Sequence, residues 1–200
     1  MTRSLRVGVA ATVALVALGA CGTKQPAPAA PPAHSTPSAA VSETLARQLG
    51  GAHAATARYA TDLAAAESDG YMIITGMLPG MGYHYLNPNI QGFDPNKPPI
   101  LVYVKRGVSA ELVALEWVFP EQPASPPLEG ATYGSFDAAC HFKDGTFVAA
   151  AAESACPTTS PQSGSPFNFW HPKLVTLHVW LWMHNPAGLY HGTNPFVGPA

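Results

Sequence analysis

Charge is scarce in this sequence. Charged residues make up 11% of its 200 positions, against roughly a quarter in an ordinary soluble domain. No basic run occurs beyond the first residues, which argues against a nucleic-acid partner and against electrostatic attraction to anionic lipid headgroups. Familiar catalytic signatures are also missing. The chain has no Gly-x-Ser-x-Gly elbow, no His-Glu-x-x-His, no phosphate-binding glycine loop and no Cys-x-x-Cys, so none of the chemistries tied to those spacings is indicated. No apolar run reaches the roughly 20 residues that cross a bilayer core. What the sequence does have is 21 prolines and 47% apolar residues, a balance that suits a loop-rich β protein.

The amino terminus carries Arg3 and Arg6 ahead of an apolar run from Val7 to Ala20. A charged start and a short apolar stretch are the layout of an export signal. The run ends in Leu18-Gly19-Ala20-Cys21, which resembles the lipobox of bacterial lipoproteins. That resemblance implies cleavage before Cys21 and acylation of its thiol, with the bilayer as a partner through the acyl chains. It places the protein in the bacterial cell envelope, outside the cytoplasm. Loss of residues 1–20 removes two basic residues and no acid, leaving 8 basic against 12 acidic, a net of −4. Cys140 and Cys156 remain as an expected disulfide in an oxidising compartment.

Residues 21–40 are dominated by Pro, Ala, Ser and Thr and read as an extended tether. Residues 41–200 are expected to form a single domain. From Val41 to Asp69 the pattern is helical, with Ala52, Ala55, Tyr59, Leu63 and Ala66 on one face, a break expected at Gly50-Gly51 and a stop at Asp69-Gly70. After Gly70 the period becomes that of strands. These are expected at Tyr71–Thr75, Gly82–Leu86, Ile100–Lys105 and Leu112–Phe119, then at 138–143 and 146–150 around an Asp144-Gly145 turn, with a long last strand at Leu174–Met183. The expected fold class is α+β, an N-terminal helix packed on an antiparallel sheet; the alternative is a β-sandwich with a peripheral helix.

Three features stand out as candidate sites. In the last strand, alternation places His178, Trp180, Trp182 and His184 on one face, and two indoles on open solvent would be unusual. With Tyr83 and Tyr85 beside His84, Trp180 and Trp182 are the candidate walls of a ligand pocket. The third feature is Glu116, set among apolar residues on both faces of its strand. A buried carboxylate needs a partner, and His84 and His178 are the mid-strand candidates. Those three residues could satisfy one another by hydrogen bonding or could hold a divalent transition metal. His141, His171 and His53 carry no case for a role, and His184 and His191 suit turns. The segments His84-Tyr85-Leu86-Asn87 and His178-Val179-Trp180 together resemble exported bacterial proteins of unknown function, a likeness that implies no activity. Three functions remain open: a lipoprotein binding a small ligand or metal, a metal-dependent enzyme, and a structural or interaction module of the envelope.

Overall fold

The computed structural model describes residues 41–198, all within one compact unit. The expected signal, the acylated Cys21 and the tether lie outside the described residues.

Helix α1 spans Glu43–Thr56, opened by Ser42, whose hydroxyl accepts from the Leu45 amide. Such a cap satisfies one of the free amides at a helix start. The helix runs through Gly50-Gly51 without the expected break. Gly51 is there for close approach: a Cβ would meet Asn96 Oδ1 at 2.6 Å. The break comes later, as a single 3-10 turn at Ala57–Tyr59 followed by a short α2, Leu63–Ser68, capped by Asp62 and stopped at Asp69.

Six strands then form one antiparallel sheet in the order β1-β2-β3-β4-β9-β5. They are β1 Met72–Leu78, β2 Gly82–Leu86, β3 Ile100–Arg106, β4 Ser109–Phe119, β5 Gly134–Phe136 and β9 Leu174–Val179. A second sheet, β7-β6-β8, is built from β6 Ala139–Phe142, β7 Phe147–Ala149 and β8 Phe167–His171. One tight turn falls at Asp144-Gly145 as expected, and another joins β3 to β4 after Arg106. Short β5 and β8 lie in stretches that carry too little alternation to be read as strands.

The large sheet is buried on both faces. One face carries Tyr85, Leu101, Tyr103, Leu115, Trp117 and Leu177 into a core shared with Leu45, Ala52 and Tyr59 of the helical segment. Tyr103 Oη donates to the Tyr59 carbonyl at 2.9 Å and ties the two layers. The opposite face carries Ile100, Val102, Ala114 and Val118 toward the second sheet, with Phe169 packed among them. The expected helix-on-sheet layer therefore exists, but a second sheet occupies the other side, and the protein is mostly β rather than a clear α+β arrangement. Cys140 and Cys156 form the expected disulfide.

Candidate functional site

Strand pairing brings Glu116 to the middle of the sheet. It lies opposite Ile100 on β3 and opposite His178 on β9, and it is only 5% exposed. Besides Thr176 of β9, it reaches past β3 to β2, where His84 Nε2 comes within 3.3 Å of Glu116 Oε2. His84 is in turn held by β1, its Nδ1 lying 2.8 Å from Thr75 Oγ1. The Thr75 hydroxyl also accepts the His84 backbone N–H. Three residues from three strands thus form one buried chain, Thr75–His84–Glu116.

Burial sets the charge of this chain. Desolvation raises the Glu116 carboxyl to about 7, against the opposing hydrogen bond from Thr176. The same cause lowers His84 to about 4. Although the pair has the spacing of an ion pair, both groups are neutral between these values, because neither charge is favoured in so dry a place. A neutral Glu116 donates its proton to Nε2, and His84 Nδ1–H then donates to Thr75. Above pH 7 the carboxylate accepts from Nε2–H, and the Thr75 hydroxyl turns to donate to Nδ1. Threonine serves both forms because a hydroxyl is donor and acceptor.

His178 stands apart from this chain. Its ring centre is 6.1 Å from that of His84 and 4.6 Å from that of Trp180. Neither ring nitrogen has a hydrogen-bond partner, and desolvation together with His84 lowers it to about 3. Among the described residues no three His, Cys, Asp or Glu side chains are grouped to hold a metal ion.

A cavity of about 220 Å³ opens between the two sheets. Its apolar walls include Ile74, Leu86, Ile100, Val118, Phe136 and Phe169. Its polar groups are Thr75, His84, Glu116, Ser135 and Thr176 from the large sheet, and His141 and His171 from the small one. The four aromatic residues expected to wall a pocket are not among its lining. Tyr85 is core on the helix side, its ring edge-on to Tyr103, and Tyr83 lies under Lys105 Nζ at 4.5 Å. The last strand stops at Val179, since the amides of Trp182 and Met183 both reach the single carbonyl of Val113. Alternation ends there. Trp180 stays beside His178, whereas Trp182 turns to the helical layer, stacks on His53 and donates to Thr56 Oγ1.

His141 and His171 are the residues that sequence reasoning missed. His141 is fully buried on β6 between the rings of Phe169 and Phe147. Period-2 alternation with Ala139 in Ala139-Cys140-His141 was the available signal, but the strand was too short to show which face was inward. Comparisons with known proteins give no match to a family model, a curated protein or a solved structure.

Proposed function

We propose that this chain is an extracytoplasmic lipoprotein, anchored to the membrane through acylated Cys21, whose domain binds a small, mainly apolar ligand between its two sheets. The observation that carries the binding reading is the cavity itself: about 220 Å³ of largely apolar space with a few polar groups fixed on strands. That combination is what small-molecule sites share. Glu116 and His84 supply one polar anchor, and because Thr75 can donate or accept, that anchor can offer either a proton or a lone pair to the ligand.

The location is supported by the lipobox resemblance at Leu18-Gly19-Ala20-Cys21 and by the disulfide between Cys140 and Cys156. Disulfides persist in oxidising compartments, and this pairing accounts for two of the three cysteines, the third being the cysteine of the lipobox. Among the described residues no helix is long and apolar enough to cross a membrane. A metal-dependent enzyme built on His84, Glu116 and His178 is a weaker reading, since His178 is set apart from the two residues that meet.

Titration with indole tests the binding reading. Saturable binding with a rise in Tm is expected for the wild type, and loss of both in Val118→Phe, which fills the cavity from β4. Absence of saturable binding, or equal binding by a folded Val118→Phe variant, would overturn it. In fractionated cells, Cys21→Ser is expected to move the domain out of the membrane fraction.

A further inference from the structure

His141 and His171 meet nitrogen to nitrogen. Their Nε2 atoms are 3.0 Å apart and their ring centres 5.0 Å apart. Each Nδ1 is already committed to a backbone carbonyl: His141 to Ile74 O at 2.7 Å and His171 to Pro172 O at 2.6 Å. A carbonyl only accepts, so both Nδ1 atoms must carry hydrogen. Two neutral imidazoles have two N–H groups between them, and both are used. The remaining Nε2 atoms would then face each other as bare lone pairs at hydrogen-bond distance. Three contacts need three protons, so this geometry is fully satisfied only when the pair carries one positive charge, shared along the Nε2···Nε2 line. A metal ion on that line would hold the nitrogens about 4 Å apart, twice the usual metal–imidazole bond of about 2.0 Å.

Both histidines line the cavity, so such a charge would border it, with no anion in the walls. Glu116, across the same cavity, bonds to His84 and stays protonated up to about pH 7. Asp137, which follows Phe136, is exposed and paired with Lys173 at 3.4 Å. Lys143 and Asp144 sit on the exposed turn after β6. The surroundings of His141 are the rings of Phe136, Phe147 and Phe169, and burial, aided by His171 and opposed by the hydrogen bond to Ile74, lowers it to about 4. A buried charge of this kind persists only with a counter-charge.

We propose that His141 and His171 form a proton-holding pair that makes the cavity a receptor for a small apolar carboxylate. The ligand's apolar body lies against Phe136 and Phe169, and its carboxylate is the counter-charge that lets the pair keep the shared proton. This rests on the cavity-binding reading and adds the ligand's chemical class. Binding of the anion then takes up one proton, so Kd increases about tenfold per pH unit wherever the free pair is unprotonated.

Calorimetric titration of the mature protein with benzoate and with benzamide, its neutral counterpart, between about pH 5 and pH 8 tests the proposal. Benzoate should bind more tightly at low pH with net uptake of one proton. His171→Gln should weaken benzoate at least tenfold more than it weakens benzamide. In ¹⁵N-labelled wild type, benzoate should bring the number of N–H groups on the two rings to three, a readout independent of any variant. Benzoate binding that is indifferent to pH, or unaffected by His171→Gln, overturns the carboxylate assignment. Benzamide binding as tightly as benzoate overturns it too, while the cavity reading would survive through indole.

Discussion

Glu116 occupies a strand position where its neighbours Val113, Ala114, Leu115 and Trp117 are all buried. Its carboxyl is raised from 4.5 to about 7 by desolvation. The folded protein therefore holds a proton that the unfolded chain has released, and stability attributable to this group falls as pH rises from about 4.5 to 7. Integrated over that interval, the loss approaches about 3 kcal/mol, less whatever the His84 contact returns. His84 and His178 act in the opposite sense. Their lowered values mean the unfolded state binds protons first, so their contribution is lost as pH falls below about 6.5 toward 4 and below. Glu116→Gln isolates the carboxyl. Urea denaturation across a pH series should find the variant close to wild type near pH 4 and increasingly more stable up to pH 7. A gap that narrows with rising pH would show that Glu116 is ionised at lower pH than its burial implies. From sequence alone, an acid among apolar neighbours signalled that Glu116 would be buried and partnered. His84 and His178 were both candidates for that partner; which of them would meet Glu116 was not legible, because the contact skips β3 and depends on a side chain reaching across a strand.

At the scale of elements, turns and periodicity were the readable part. Asp144-Gly145 closed the hairpin of β6 and β7 as its residue types require. Alternation failed wherever a strand ended early. The run through Leu177–Met183 keeps its period in sequence, but the backbone leaves the ladder after Val179, and the two indoles part to opposite layers. His141 and His171 were hidden for a different reason. They lie in strands of four and five residues, flanked by a cysteine and a proline that suggested loop or edge. The start of β2 offers an element-scale test. Gly82 has φ of +114°, and a Cβ there would lie 2.5 Å from the Tyr103 carbonyl oxygen. Gly82→Ala must strain a left-handed position and push β2 from β3, carrying His84 with it. A loss of at least about 2 kcal/mol is expected in chemical denaturation. A change under about 0.5 kcal/mol would mean that β2 and β3 are not in this register.

For the whole molecule, the proposed function rests on two sheets that face each other without filling the space between them. Period and turn signals describe each strand separately and say nothing about which sheet a strand joins, so the cavity was not legible in the sequence. The disulfide contributes at this scale. It joins β6, which bears His141, to the segment after β7 across 16 residues, a loop whose closure restrains the unfolded chain by about 3 kcal/mol in the entropic picture. One wall of the cavity is thereby fastened where the small sheet has only three strands to hold it. Interiors are normally packed without such gaps, and a space this size with mostly apolar walls is the feature on which the proposed ligand binding depends. A crystal of the domain under xenon pressure examines it most directly, since xenon enters apolar cavities and marks them by its density. The account predicts a xenon peak between the sheets, in contact with Phe136, Phe169 and Ile100. Sheets found in direct contact, with no xenon between them, would contradict it.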